Sequence, residues 1–282
     1  MGASSAIRLW FQKHTAAGRV PGLDRAYAEH ARQLLRPETT VDFFSLPPAT
    51  YEAPFPNQIV RYYYPETLFA SYFTEQAIQA ERQGYDAFII GASQDPGLVA
   101  ARAVVRIPVV GYGEASMLVA CMLGDRFGFV GFIPELQTAL RANVRLYGLE
   151  ARCGPMVALS GGADLLVRGF AGELAPFLEA FEHAAREAIG AGADVLIPGE
   201  GLVNELLFLA GVRRIDGVPI VDSDGVALKL AELLSELRRC GGLEASDAGY
   251  FHRRPPRELV DHLRALYLPA WGPAPGASEQ LG

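Results

Sequence analysis

Apolar and polar positions along this chain fall into two alternating patterns. Short apolar runs, rich in β-branched and aromatic residues, occupy residues 7–11, 40–46, 87–90, 127–131, 154–160, 195–197 and 219–221, with another near Val109. Each reads as a strand. Between them the apolar residues recur at helical spacing, as at Leu23, Ala26, Tyr27, Ala31, Leu34 and Leu35. Further helices are expected over residues 67–83, 172–191 and 226–237. Strand–helix alternation with apolar strands predicts a parallel sheet covered on both faces. A strand–turn–helix unit recurs in each half. The expected fold is therefore α/β, with two similar lobes, each a mostly parallel sheet flanked by helices, and an active site in the cleft between them.

Two stretches break the alternation. Residues 47–65 form a polar-aromatic loop carrying Tyr51, Phe55, Tyr62, Tyr63 and Tyr64. A loop of that length inside a compact domain is usually functional or partner-facing, and here it would close over a bulky substrate. Beyond Gly242, a basic segment from Arg253 to Arg257 precedes a short amphipathic helix over residues 259–268. That extension reads as a packing or oligomer-contact appendage, with an active-site lid or partner motif as the alternative. Residues 270–282, rich in Pro, Gly and Ala, are expected to fray.

Composition narrows the class. The 282 residues carry a net charge of −7, which argues against bulk nucleic-acid binding. Cys121, Cys153 and Cys240 are unclustered, so neither a zinc site nor a disulfide framework is indicated. No apolar run reaches the roughly 20 residues of a membrane span. The first residues lack the features of a signal peptide and fit a myristoylation pattern poorly, because Ala6 stands where Ser or Thr is required. A cytoplasmic enzyme acting on a small molecule is expected, with no nucleic-acid or membrane partner. GxGxxG, Walker, HExxH and GxSxG patterns are all missing, which weakens nucleotide, zinc and serine-hydrolase readings.

The most specific signal is an internal echo. Asp86-Ala-Phe-Ile-Ile-Gly-Ala-Ser-Gln-Asp-Pro-Gly-Leu98 is followed by Arg106-Ile-Pro-Val-Val-Gly-Tyr-Gly-Glu-Ala115. Later come Gly192-Ala-Asp-Val-Leu-Ile-Pro-Gly-Glu-Gly201 and Gly217-Val-Pro-Ile-Val-Asp222. Each is a buried strand, a sharp turn, a helix and a second strand entered through Pro. This pairing resembles the hydantoin racemase branch of the aspartate/glutamate racemase superfamily. The resemblance spans about residues 7–237 and is most specific at residues 95–98 and 108–115.

That resemblance implies residues 1–116 plus 222–245 as lobe one, 117–221 as lobe two, and 246–282 as an extension. It also implies a homodimer or higher homo-oligomer and no cofactor or metal. In the family each strand end delivers one cysteine, and the two face each other across the substrate. Here Ala92 takes the first position and Glu200 the second. The arylmalonate decarboxylase branch also lacks the first cysteine but keeps the second, so this chain departs from that pattern too.

Glu200 is the leading catalytic candidate. It lies between Gly199 and Gly201 at the carboxyl end of a strand, where α/β sheets bind ligands and where glycines admit close approach. A partly desolvated carboxyl there would have a raised pKa and could move a proton near neutrality. The alternative is a helix-start carboxylate satisfying the backbone. Ala92 cannot move a proton, which disfavours two-base racemisation. Ser93 can donate a hydrogen bond to substrate or cap a helix; Gln94 belongs to the same turn. His14 is either a second acid/base on the vacated face or an ordinary surface histidine.

By resemblance, Gln12 and Thr15 stand where the family binds substrate. Tyr112 is placed to reach the cleft. Ser160 and Gly161 can supply oxyanion contacts or merely form a turn. Asn204 shares a helical face with Glu200 and is expected to hold its carboxylate. Asp95 and Glu114 read as scaffold residues. The expected activity is a cofactor-independent isomerase or lyase working on a small carboxylate or cyclic amide through an enolate or carbanion. The alternatives are a racemase or epimerase with substituted residues, and a silent small-molecule-binding protein.

Overall fold

Two parallel sheets carry the chain, and side-chain alternation along their strands decides what lies on each face. A computed structural model describes residues 6–268. The first sheet comprises β1 (Ile7–Ala16), β2 (Thr39–Leu46), β3 (Ala87–Gly91) and β4 (Val109–Gly111), in the order β2-β1-β3-β4. The second comprises β5 (Phe127–Gly131), β6 (Cys153–Ala158) and β7 (Val195–Pro198), in the order β6-β5-β7. A hairpin of β8 (Arg214–Ile215) and β9 (Val218–Pro219) follows, after which Ile220 bridges Leu196 in parallel. That bridge extends the second sheet beside β7 as β4 extends the first beside β3. The sequence echo is thus a repeat of strand order, and Ala92 and Glu200 follow equivalent central strands.

The helices are α1 (Leu23–Leu34), α2 (Tyr63–Arg82), α3 (Leu98–Val104), α4 (Tyr112–Leu123), α5 (Leu136–Leu146), α6 (Gly162–Phe170), α7 (Leu174–Gly190), α8 (Gly201–Leu209), α9 (Ser223–Gly241) and α10 (Arg257–Tyr267). Leu9, Phe11, Ala87 and Ile89 face the large core that continues into the second sheet through Val130 and Leu196. Trp10, Phe88 and Ile90, one residue out of phase, pack instead against Phe69, Phe73 and Ala77 of α2. Burying a Phe or Ile side chain fully contributes about 1.5–3 kcal/mol, so this continuous core holds the two sheets together. After the second sheet, α9 returns to pack on β1, β3 and β4.

Several expected boundaries shift. β1 runs on to Ala16, past the expected strand end at residue 11, and its pairing with β2 is irregular between Gln12 and Ala16. The expected loop at 47–65 contains two short 3-10 turns, Pro48–Thr50 and Pro56–Gln58, and α2 begins at Tyr63. Helix α6 lies between the expected strand at 154–160 and the expected helix at 172–191. Helix α10 docks on α2: its Arg264 grips buried Glu75 at 2.8 Å, and Arg82 binds Asp261 at 2.6 Å. Met1 to Ser5 and the expected frayed tail lie outside the described residues. No helix among those described is long and apolar enough to cross a membrane.

Candidate active site

The carboxyl ends of both sheets face a shared cleft. Strand β1 contributes Lys13, His14 and Thr15, at the point where its pairing with β2 breaks. The turn after β3 contributes Ala92, Ser93 and Gln94, and the start of α8 contributes Glu200, Gly201 and Leu202. Tyr27 of α1, Pro56 and Val60 of the aromatic loop, and Ile133 and Leu136 complete the wall. The aromatic loop reaches across the cleft, where Phe55 packs edge-on against Phe132 with ring centroids 5.3 Å apart.

Glu200 is the N-cap of α8, but its side chain does not cap its own helix. Its carboxylate turns toward the end of β5, accepting from Phe132 N at 3.0 Å and Ile133 N at 3.2 Å. This leaves the Gly201 and Leu202 amides, at the first two helical positions, without an intrahelical acceptor and beside the cleft. Burial pushes the Glu200 carboxyl up to about 8, against the pull of the two amides. Gly131 makes the arrangement possible, since a Cβ there would lie 2.7 Å from Glu200 Oε2.

His14 is buried, which removes the surface-histidine alternative. Its ring packs edge-on against Phe69 at 4.4 Å, and its Nε2 has no hydrogen-bond partner among the described residues. Burial lowers its pKa to about 4, so the imidazole is neutral at physiological pH. Glu200 and His14 thus line one cleft with both groups displaced toward their uncharged forms. Environments that separate the pKa values of neighbouring groups commonly mark acid/base sites. Glu66 of α2 is also pushed up to about 7 by burial, partly offset by the Gln94 side chain.

The other candidates divide clearly. Thr15, Ala92, Ser93, Gln94 and Gly201 line the cleft. Gln12 does not: its amide donates to Lys13 O at 3.2 Å and Phe44 O at 3.3 Å, and its oxygen accepts from Trp10 Nε1. Tyr112 is buried away from the cleft, donating to Pro198 O at 3.1 Å. Gly199 lies beneath the site, where a Cβ would come 2.9 Å from Gly131 Cα. Ser160 and Gly161 are exposed and outside the wall. Asn204 does not hold Glu200; its amide donates to Asp222 Oδ1 at 3.0 Å and its oxygen accepts from Ser223 N at 2.8 Å.

Asp95 belongs to the scaffold through the helix after next. It adopts φ 50° and caps the following helix α4 through Gly113 N at 2.9 Å and Glu114 N at 2.7 Å, leaving Gly97 to cap α3. Glu114 pairs with Arg102.

Behind the cleft, His30 of α1 bonds Glu205 of α8 at 2.7 Å and Asp222 at 2.9 Å. Burial opposes its charge, but bonds to Asp222 and Glu205 outweigh it and raise His30 to about 9. Asp224, also buried, is raised by burial and by the charge of Glu205. Among the described residues no group of three or more His, Cys, Asp or Glu is arranged to hold a metal.

Sequence reasoning missed Tyr27, whose helical spacing marked it as core. It also missed the Phe132 and Ile133 amides, because a backbone donor has no signature in residue identity.

Comparison with known proteins places the chain. Hydantoin racemase of Pseudomonas sp. (strain NS671) is 31% identical over 176 residues, covering 62% of this chain and 68% of that protein. Hydantoin racemase of Paenarthrobacter aurescens is 28% identical over 198 residues, covering 69% and 79%. The structure of allantoin racemase from Pseudomonas fluorescens superposes with a TM-score of 0.71 at 25% identity, over 89% of this chain and 98% of that one. The model of the Asp/Glu/hydantoin racemase family matches residues 25–231, and the chain belongs to that family.

Proposed function

We propose that this protein catalyses cofactor-independent proton transfer at a carbon acid, as an isomerase or lyase of a small carboxylate or cyclic amide, with Glu200 as its main acid/base. The observation that carries this reading is the Glu200 carboxyl itself: buried in the cleft wall, held by two neutral amides, and raised to about 8. At pH 7 such a group is roughly nine-tenths protonated and ready to donate. A carbanion formed beside it by loss of CO2 would take that proton at carbon; where a C–H bond breaks instead, the ionised minority of Glu200 takes the proton first and returns it at the second carbon. The free amides of Gly201 and Leu202, with the hydroxyls of Ser93 and Thr15, would bind the developing oxyanion.

By resemblance, Ala92 and Glu200 replace the paired cysteines of the family, so proton handling is concentrated on one face. This suits decarboxylation, elimination or double-bond isomerisation better than racemisation. A second reading is racemisation with His14 as the opposing base, favoured by its unpartnered, neutral Nε2 on the same cleft. The named activities of the relatives make cyclic ureides the natural first substrates to try in either case.

The test is proton NMR in D2O with hydantoins, amino acids, substituted malonates, unsaturated diacids and lactones. Exchange or conversion that Glu200→Gln abolishes supports the proposal. Exchange that inverts the stereocentre and disappears equally in His14→Gln selects racemisation. Saturable binding with no exchange anywhere supports the silent binding protein instead.

A further inference from the structure

Charge along the cleft wall is unbalanced. Of the residues that line it, Glu200 bears the one carboxyl and Lys13 the one ammonium. Burial pushes Glu200 and His14 alike toward their neutral forms, so neither sets a full charge against Lys13.

Lys13 is held in an unusual position for a lysine. Its side chain is 4% exposed, yet its protein carboxylate partner, Asp24, is 50% exposed. A pair with one member in water is screened and readily exchanged, so it fixes the lysine only loosely. An ammonium has three donors, and Asp24 takes one of them. The Tyr27 ring, whose centroid lies 5.8 Å from Nζ, faces the same charge. With its carboxylate partner half in water and no other side-chain partner, the buried ammonium keeps donors for an anion that enters the cleft.

The uncharged donors point the same way. His14 Nε2 is buried in the wall without a partner among the described residues, and the first turn of α8, at Gly201 and Leu202, lines the cleft with the positive end of the helix. A neutral cyclic ureide would satisfy such donors through its carbonyls but would leave the lysine as it is.

We infer that Lys13 is a specificity-determining residue and that the substrate of this cleft carries a carboxylate, which Lys13 binds by giving up part of its bond to Asp24. This rests on the proposal that the cleft is a substrate site, and it selects the carboxylate-bearing alternative over the neutral cyclic amide. It also fits a protonated Glu200, since an anionic substrate would be repelled by an ionised carboxyl in the same small space.

The test measures binding, not turnover. Two matched pairs serve as probes in calorimetry: 5-hydantoinacetate against its primary amide, and malonate against malonamide. The wild-type protein is expected to bind the carboxylate of at least one pair about tenfold more tightly than the amide, the size of one charge-assisted hydrogen bond. Lys13→Gln should erase that preference, and Lys13→Arg should keep most of it. If Lys13→Gln does not fold, Asp24→Asn is the second arm. Asp24 is half exposed, and its removal should strengthen carboxylate binding by freeing the ammonium.

Glu200→Gln separates this inference from the catalytic proposal, because it should lose proton exchange while retaining the carboxylate preference. Equal affinities for carboxylate and amide in the wild type, binding of neither carboxylate, or a preference that survives Lys13→Gln would each overturn the assignment.

Discussion

Helix α8 carries two buried glutamates with opposite surroundings. Glu200, at its N-cap, meets two backbone amides and no cation, and burial drives it toward the neutral acid. Glu205, one turn further, meets the imidazole of His30, which also bonds Asp222. There the imidazole keeps its charge: His30 rises to about 9, and Asp222 is held below its usual range against burial, by His30 and Asn204. Depth is similar in the two places, so burial alone does not decide protonation. An opposite charge at hydrogen-bond distance does. The region behind the cleft is an ion-paired seam that ties α1 to α8, whereas in the cleft Glu200 and His14 are both pushed toward their neutral forms.

The largest expected effect lies on the cleft side of this comparison. Glu200→Gln should lower proton exchange or turnover by about 10²–10⁴-fold, the usual contribution of a positioned acid/base. Retained turnover in a folded variant would move Glu200 from chemistry to scaffold.

On the seam, His30→Gln should destabilise the protein by roughly 3–5 kcal/mol at neutral pH, because it leaves buried carboxylates uncompensated. Since the folded pKa of His30 is raised from 6.5 to about 9, its stabilisation is complete below 6.5 and is lost as pH rises through about 9. The deficit of the variant in denaturant melts should therefore shrink at high pH. A deficit that is small and independent of pH would mean the seam is held by packing.

Glu200 should show the reverse trend to a paired carboxylate. Its folded pKa is raised above 4.5, so the native state binds the extra proton and stability falls as pH climbs toward about 8. Between pH 6 and pH 9, Glu200→Gln should gain on the wild type by roughly 3 kcal/mol. The pH dependence is the useful readout, because Gln offers one oxygen to two amide donors and carries a constant cost of its own.

Gly131→Ala gives the most local perturbation. The added methyl would meet the Glu200 carboxylate, so activity should fall by roughly 10²-fold through misplacement while stability changes by about 1–3 kcal/mol. Full activity in Gly131→Ala would show that the carboxylate does not work from its position at the end of β5.

Much of this architecture was legible in the sequence. The strand repeat could be read because Ala87-Phe-Ile-Ile90 and Val195-Leu-Ile197 are continuous apolar runs, the pattern of strands buried on both faces. Glu200 could be located because a carboxyl between two glycines at a strand end has few structural explanations. Its partners could not, since they are amides of residues 132 and 133, some seventy positions earlier.

Gln12 failed for a different reason. It sits on β1 two residues before His14, but the irregular pairing beyond Gln12 carries His14 to the cleft and leaves Gln12 bonded to Phe44. Asn204 shares a helical face with Glu200, but Asp222 and Ser223 bind that face first. Periodicity gives direction and never reveals which neighbour already occupies it.

The most direct test is the titration of Glu200 itself. Carbon-13 NMR of carboxyl-labelled glutamate, with Glu200 assigned by its disappearance in Glu200→Gln, reads protonation without a substrate. A midpoint near 8 is the expected result, with the other glutamates serving as internal controls. A midpoint at or below 4.5 would contradict the account, because it would mean that the two amides outweigh burial and that the cleft holds a fixed anion in place of a poised acid.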